Sequence, residues 1–170
     1  MLISLIAAMS ADGRIAQSAN QNSMDWTSKE DLAFFVRKTK EIGIMVMGRK
    51  TFDTIGKPLK GRRVIVMTRK PRQSTFHDDD GTVEYTNANP KELVAKLAHQ
   101  GIKELAVCGG AQIYSAFLKA GLVHEVYLTV EPVLFGAGVS LTEGFERINM
   151  VLAEVERLSA QTVLLHYRVI

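Results

Sequence analysis

The chain contains the stretch Val46-Met47-Gly48-Arg49-Lys50-Thr51-Phe52, followed by Ile55-Gly56-Lys57-Pro58-Leu59 and Gly61-Arg62-Arg63-Val64-Ile65-Val66-Met67-Thr68-Arg69. The pattern predicts a buried strand, a short helix entered through a basic turn, a Gly-Pro loop and a second buried strand that ends in a basic turn. Open α/β sheets bind ligands beyond the carboxyl ends of their strands. Two strand ends that carry Arg, Lys and Thr therefore favour a phosphorylated ligand at that edge of the sheet.

Length and composition are typical of one globular domain. The chain has 170 residues, 46% hydrophobic and 23% charged, and we expect residues 1–170 to form a single domain without a metal or disulfide staple. Its one cysteine, Cys108, excludes an internal disulfide and suits a reducing cytoplasm. The apolar start Met1–Ala8 lacks a leading positive charge and is too short to span a membrane, so it predicts a buried first strand.

The net charge is mildly positive. The formal charge is +3 and the isoelectric point is about 9.0, and the lysines and arginines are scattered rather than gathered in a stripe. A nucleic-acid surface is marked by such a basic stripe or patch. We therefore expect an anionic small molecule as the ligand, with neither nucleic acid nor membrane as a partner.

Short apolar runs alternate with segments of helical period, which predicts an α/β fold with a central, mostly parallel sheet of about eight strands. The loop Leu158–Gln161 is short enough for a hairpin, so the C-terminal edge should be antiparallel. The polar run Pro71–Gly81 predicts a surface loop. The strand candidates are Leu2–Met9, Ile44–Met47, Arg63–Thr68, Val83–Tyr85, Glu104–Cys108, Val123–Val130, Met150–Arg157 and Thr162–Val169. The helix candidates are Ser28–Lys40, Lys50–Ile55, Lys91–His99 and Ala111–Lys119.

Asp31 is the first candidate for chemistry, because it shares a helix face with Phe35 at the spacing i,i+4. Ser28 and Asp31 have the spacing of a capping box, in which Asp31 would be only a first-turn acid. Thr27 and Glu30 form an equally good capping box, which would leave Asp31 free to face inward. A carboxylate on an apolar face is costly without a partner, and such groups often have raised pKa values and functional roles.

The central stretch resembles the dihydrofolate reductase family, in the order G-R-K-T-F-x-x-I-G-x-P-L-x-G-R-x-x-I-V-x-T-R. In that family a Trp precedes the active-site helix and the acid follows five residues later, as Trp26 and Asp31 do here. The resemblance implies a dihydrofolate reductase-like domain with helices on both faces of the sheet. It implies an NADPH-dependent oxidoreductase of tetrahydrofolate biosynthesis and one-carbon metabolism, an antifolate target that is monomeric or a homodimer. Its reaction would be hydride transfer to C6 of 7,8-dihydrofolate.

The resemblance also implies the substrate site. Asp31 would bind the 2-amino and N3 groups of the pteridine and promote protonation at N5, and Trp26 and Thr129 would be the other catalytic positions. Arg62 looks like the arginine that binds the glutamate α-carboxylate of folates; without the resemblance it is a loop arginine that follows a glycine. The other implied substrate-binding positions are Ile6, Ala8, Leu32, Phe35, Ile55, Leu59, Cys108 and Tyr114.

The basic strand ends correspond to the cofactor site of the family. Singly, each of these polar residues is an ordinary surface side chain, but together they form a plausible phosphate cradle. The family positions bind the 2′-phosphate and pyrophosphate of NADPH, and nothing acidic stands where a ribose diol would be recognised. The implied cofactor-binding positions are Ala7, Ile15, Gly48, Arg49, Lys50, Thr51, Met67, Thr68, Arg69, Gly109, Gly110, Ala111, Gln112 and Ile113.

The segment Cys108-Gly109-Gly110 follows a strand and opens a helix, where glycines permit close approach of a ligand to the backbone. In the family this Gly-Gly peptide is cis and the tyrosine that follows lies near the nicotinamide. We interpret Cys108 as a pocket-lining residue rather than a nucleophile. The four histidines have no metal-ligand spacing, so we expect no metal site.

Two other interpretations stay open. The segment Met9–Ala16, the loop to Ser28, the segment Val133–Leu141 and the short C-terminal hairpin resemble the reductase domain of riboflavin biosynthesis, which acts on a ribosylaminopyrimidine phosphate. This chain also has Asp25 where dihydrofolate reductases have Pro before the Trp. The third interpretation is a nucleotide-binding scaffold without catalysis, and it requires Asp31 to be a cap that faces solvent.

Overall fold

The computed structural model describes residues 1–18, 20–70, 75–77 and 81–170. The strands in these ranges are β1 Leu2–Ser10, β2 Arg14–Ala16, β3 Ile44–Gly48, β4 Arg63–Met67, β5 Thr75–His77, β6 Gly81–Thr86, β7 Glu104–Val107, β8 Glu125–Glu131, β9 Val139–Ser140, β10 Met150–Arg157 and β11 Val163–Val169. The helices are α1 Lys29–Ile42, α2 Arg49–Ile55, α3 Pro90–His99 and α4 Ala111–Lys119, with a short 3-10 helix at Ser23–Asp25.

The central sheet confirms the predicted α/β architecture. Its strand order is β10-β11-β8-β1-β7-β3-β4-β6-β5, and every pairing from β8 to β6 is parallel. The strands β10 and β11 form the expected antiparallel C-terminal edge. At the other edge the short strand β5 pairs antiparallel with β6 and brings the described sheet to nine strands.

Part of the predicted surface loop Pro71–Gly81 is instead β-structure, so that prediction was wrong for Thr75–His77 and Gly81. Residues 71–74 and 78–80 lie outside the described ranges. A second, two-stranded sheet of β2 and β9 was not predicted either. Each of these strands has two or three residues, and such a short run shows no alternation that a sequence pattern could detect.

The sheet is buried on both faces because helices cover both. Ile44 and Val46 of β3 belong to one core cluster, with Leu97 of α3 and Phe117 of α4. The alternating residues of β3 pack on the other face with Phe34 of α1 and Phe52 of α2. A parallel strand covered on both sides reads as a continuous apolar run, as the sequence Ile-Met-Val-Met does.

Parallel strands bring their carboxyl ends to one edge of the sheet, where a ligand is expected to bind. The ends of β3, β4 and β7 meet at a single cleft, together with the later part of β1. No helix in the described part of the chain is long and apolar enough to cross a membrane.

Candidate active site

The cleft at the carboxyl ends of the strands has a volume of about 880 Å³. Ligand sites in proteins are clefts of roughly 300–1,000 Å³, so this one is large enough for a substrate beside a cofactor. Every substrate- and cofactor-binding position predicted from the sequence lines it, and so does Asp31. The two remaining predicted positions, Trp26 and Thr129, do not line the cleft.

Asp31 points into the cleft from the first turn of α1. Ser28, not Thr27, is the N-cap: its hydroxyl accepts a hydrogen bond from the Asp31 backbone N–H at 3.1 Å. The cap uses only the backbone of Asp31, so the carboxyl is free to face inward even though Ser28 caps the helix. Ser28 therefore caps the helix while the side chain of Asp31 lines the cleft, so the two roles do not exclude each other.

The environment of Asp31 disfavours its charged form. Burial raises the pKa of the carboxyl above its ordinary value of 3.8, and the negative charge of Glu131 raises it further. Hydrogen bonds from the hydroxyls of Thr129 and Thr27 act in the opposite direction and lower it. Thr129 is buried on β8 behind Asp31, so it orients the carboxyl without reaching the cleft itself.

Trp26 lies beside the cleft rather than in its wall. Its ring meets that of Phe135 edge to face, with the centroids 5.1 Å apart. The indole Nε1 is buried and has no hydrogen-bond partner among the described residues. A buried polar atom without a partner is unusual, and a water molecule bound to Nε1 would satisfy it.

Arg62 is the buried cation of the cleft. Only 7% of its surface is exposed, and burial lowers the pKa of its guanidinium. Nη1 donates to the Thr39 hydroxyl of α1 at 3.1 Å, and Nε contacts the Lys60 carbonyl at 3.4 Å. No carboxylate in the described ranges forms an ion pair with it. A buried charge without a counter-ion is costly, so the arrangement favours an anionic ligand group.

Apolar residues that lie between Asp31 and Arg62 in the sequence form a wall of the cleft. It is formed by side chains of α1 and α2 and the loop that follows α2, and these side chains line the same cleft as the two charged residues. The wall consists of Leu32, Phe35, Val36, Ile55 and Leu59. Such a surface suits an aromatic or apolar ligand segment.

The turn from β3 into α2 presents three polar residues to the cleft, Arg49, Lys50 and Thr51. Arg49 is paired in the helix: Nη1 lies 2.6 Å from Oδ2 of Asp53, and both side chains are about two-fifths exposed. This intrahelical partner was not predicted, although the spacing i,i+4 is its signature. Any phosphate bound by Arg49 has to compete with Asp53.

The turn from β7 into α4 leaves backbone donors facing the cleft. The N-cap is Gly110, which provides no side-chain cap, and the Gly109–Gly110 peptide bond is cis, as the family resemblance implies. A Cβ at Gly110 would lie 3.1 Å from Oγ1 of Thr51, so a side chain here would crowd the facing turn. Uncapped N–H groups at a helix start are suited to an anion.

Two further predicted residues of this segment are buried. The Tyr114 hydroxyl donates to the Ile6 carbonyl at 2.7 Å, and burial raises the pKa of the phenol. Burial likewise raises the pKa of the Cys108 thiol. A thiol held in its neutral form is a poor nucleophile, which agrees with the interpretation of Cys108 as a wall residue.

Several cleft residues were not found from the sequence. They come from the segment before α1, the end of α2, the end of β6 and the residues after it, β9 and the segment after it: Ala16, Ser18, Gln21, Asn22, Ser23, Met24, Thr27, Thr54, Thr86, Asn87, Ala88, Val139 and Glu143. The side chain of Asn22 donates to the Thr54 carbonyl at 3.3 Å and so joins the loop to α2. In the sequence, the polar character of the segment before α1 is the feature that could have indicated these residues. No group of three possible metal ligands occurs in the described part of the chain.

Comparison with known proteins finds dihydrofolate reductases that are similar to this chain in sequence. The dihydrofolate reductase family model matches residues 2–136. Dihydrofolate reductase type 3 of Salmonella typhimurium is 34% identical over 130 residues, which are 76% of this chain and 71% of that protein. The dihydrofolate reductase of Buchnera aphidicola is 31% identical over 137 residues, with coverage of 80% and 75%.

Solved structures share the fold over almost the entire chain. A proposed riboflavin biosynthesis protein from Shewanella sp. PV-4 has a TM-score of 0.85 at 22% identity, covering 100% of this chain and 99% of its own. The Thermotoga maritima diaminohydroxyphosphoribosylaminopyrimidine deaminase/5-amino-6-(5-phosphoribosylamino)uracil reductase has a TM-score of 0.80 at 17% identity. That match covers 99% of this chain and 56% of the larger protein.

Proposed function

The chain belongs to the dihydrofolate reductase family, a family of oxidoreductases, and from this premise we propose that it reduces 7,8-dihydrofolate to 5,6,7,8-tetrahydrofolate with NADPH. The proposal assigns the cofactor to the glycine-lined half of the cleft and the pterin to the half that contains Asp31. Bound NADPH would supply the hydride for C6 of the substrate. The residues of the chain would bind and orient the cofactor and the substrate and would promote protonation of the substrate.

The cofactor half fits a phosphorylated dinucleotide. Glycines at the ends of β3 and β7 keep the two turns close, since a Cβ at Gly48 would lie 3.1 Å from Cγ1 of Ile113. The N-terminus of α4 has no side-chain cap, so its backbone N–H groups are available to a pyrophosphate. Arg49, Thr68 and Arg69 would bind the 2′-phosphate, because guanidinium groups make paired contacts with phosphate oxygens.

The substrate half fits an aminopterin with an acidic tail. Asp31 would accept hydrogen bonds from the 2-amino and N3 groups, with its carboxyl held by Thr129. The apolar wall that includes Leu32 and Phe35 would exclude water from an aminobenzoyl segment. Asp31 would also promote protonation at N5 through water, and its raised pKa is the property that general acid–base residues need.

Buried Arg62 is the single observation that carries the choice of folate. Its guanidinium lines the same cleft as Asp31, is held by Thr39, and has no carboxylate partner in the part of the chain that the structure describes. The glutamate α-carboxylate of a folate would provide that partner. A ribosylaminopyrimidine phosphate has no aminobenzoyl group to fill the apolar wall.

Replacement of Arg62 by Ala tests the proposal. We expect KM for dihydrofolate to rise roughly tenfold or somewhat more, the loss of one charge-assisted contact. A pterin without the glutamyl tail should show a smaller change. Arg63→Ala is the matched control, because the neighbouring arginine pairs with Glu84 and Gln100 outside the cleft. An equal rise of KM for both substrates would contradict a carboxylate-binding role.

A riboflavin-pathway reductase is the second candidate. The family match ends at residue 136, whereas the riboflavin-type structures cover the C-terminal hairpin as well. The segments that resemble those enzymes also lie together, because β2 and β9 pair in the small sheet beside the cleft. The scaffold interpretation requires Asp31 to be a cap that faces solvent, and the place of Asp31 in the cleft lining argues against it.

A further inference from the structure

A second carboxylate lies beneath the start of α1. Glu131 is only 2% exposed and stands two residues after Thr129 on β8. Its Oε1 accepts hydrogen bonds from the backbone N–H and the hydroxyl of Ser28, each at 2.8 Å. Its Oε2 accepts one from the hydroxyl of Thr162 at 3.1 Å. A buried carboxylate therefore accepts three hydrogen bonds at the point where the helix with Asp31 begins.

This arrangement links Glu131 to Asp31 by two routes. The first is mechanical: Glu131 holds Ser28, whose hydroxyl in turn accepts the Asp31 N–H at 3.1 Å. The second is electrostatic, because the negative charge of Glu131 on β8 raises the pKa of the Asp31 carboxyl. Residues i and i+2 of a strand share a face, so Thr129 and Glu131 are presented together to the first turn of α1.

We propose that Glu131 is a positioning residue for the reductase reaction: it fixes the helix start that carries Asp31 and places a second negative charge beside that carboxyl. The effect of this charge is to keep Asp31 protonated to higher pH. Among the described residues, Tyr114 of α4 also interacts with Asp31, and its phenol is neutral at working pH because burial raises its pKa. Only the predicted effect on turnover rests on the proposed function.

Glu131→Gln is the direct test, because the amide keeps the shape and most hydrogen bonds but removes the charge. Ser28 can still donate to the amide oxygen, and the Thr162 hydroxyl can rotate to accept from the amide nitrogen. The carboxyl of Asp31 is titrated by NMR in protein labelled with 13C-aspartate, without substrate. We expect its midpoint to move to lower pH. Glu156→Gln, on the exposed strand β10, is the matched control and should leave the midpoint in place.

An unchanged Asp31 midpoint in Glu131→Gln would overturn the inference, whether or not the protein is a reductase. With a reducible substrate, we expect kcat to fall several-fold at neutral pH without a rise in KM, whereas a merely structural defect would raise KM as well. Should the Gln variant not fold, Ser28→Ala removes the hydroxyl that joins Glu131 to the Asp31 N–H, and it keeps the charge of Glu131 and its bond to the backbone N–H of residue 28. Faster amide exchange in the first turn of α1 and a lower kcat are then expected, and an unchanged kcat would overturn the role.

Discussion

Asp31 combines two properties that one residue rarely has by chance. It begins a helix, where the dipole and the Ser28 cap favour an acid, and it faces a cleft, where burial disfavours its charge. The chain retains a carboxylate that costs folding free energy at neutral pH. A group kept in such a position is expected to act on a ligand.

Asp31→Asn should abolish most turnover while leaving the fold and NADPH binding intact. General acid–base groups contribute about 10²- to 10⁴-fold, and we expect a loss of that order near neutral pH. Activity should partly recover in acid, where N5 of the substrate is protonated without help. The measurement is the pH dependence of kcat for both proteins. A fully active Asn variant would remove Asp31 from the mechanism.

The same variant has a predicted stability signature. Because the pKa of Asp31 is raised in the folded state, its stabilising contribution is present below the ordinary value of 3.8 and is lost as pH rises through the folded value. The free energy of unfolding of Asp31→Asn should therefore rise relative to that of the wild type as the pH increases from acid to neutral. Urea unfolding at both pH values measures this. A difference that is independent of pH would contradict the burial of the charge.

At the residue scale, local spacing predicts only part of the site. Trp26 and Asp31 lie close in the sequence, so the family pattern is sufficient to identify them as a pair. Glu131 and Thr162 meet Ser28 only because β8 and β11 are neighbours in the sheet. No local pattern predicts such a contact between distant parts of the chain.

At the scale of elements, the basic turns after β3 and β4 are expected to determine the choice of cofactor. Arg49 is the first residue of α2 and Arg69 follows the end of β4, and both line the cleft. Asp53 already binds Arg49 within the helix. Partly exposed pairs of this kind are weak, so a phosphate can displace the carboxylate at low cost.

The double variant Arg49→Ala/Arg69→Ala should weaken NADPH much more than NADH. Charge-assisted contacts to a 2′-phosphate are worth roughly 1.5–3 kcal/mol each, which corresponds to more than tenfold in affinity. Fluorescence titration with both cofactors measures the two Kd values. Asp53→Asn is a control of opposite sign, since it releases Arg49 and should tighten NADPH. Equal losses for NADPH and NADH would argue against this phosphate site.

The bounds of the longer elements were predicted closely from the sequence, whereas the shortest strands were not predicted. The helix Ala111–Lys119 and the strand Met150–Arg157 have the predicted bounds, and each is long enough to show a pattern in its own sequence. The strands β2, β5 and β9 depend on pairing with distant partners rather than on their own composition. Their two or three residues carry too little pattern to predict.

For the whole molecule, topology brings the predicted residues together. The parallel order β1-β7-β3-β4 places the turns after β3, β4 and β7 at one edge, and α1 adds Asp31 to the same cleft. The convergence was predictable because open parallel sheets have this property in general. The topology does not predict the substrate, because one fold can serve more than one reductase chemistry.

Substrate identity is therefore the central claim, and one spectrophotometric assay tests it most directly. NADPH oxidation is followed at saturating cofactor with dihydrofolate and, in parallel, with the ribosylaminopyrimidine phosphate of riboflavin synthesis. We predict turnover of dihydrofolate and none of the ribosyl compound. Turnover of the ribosyl compound alone would contradict the proposal and select the riboflavin-pathway candidate, and NADPH binding without turnover of either would contradict the assignment of a catalytic role to this cleft.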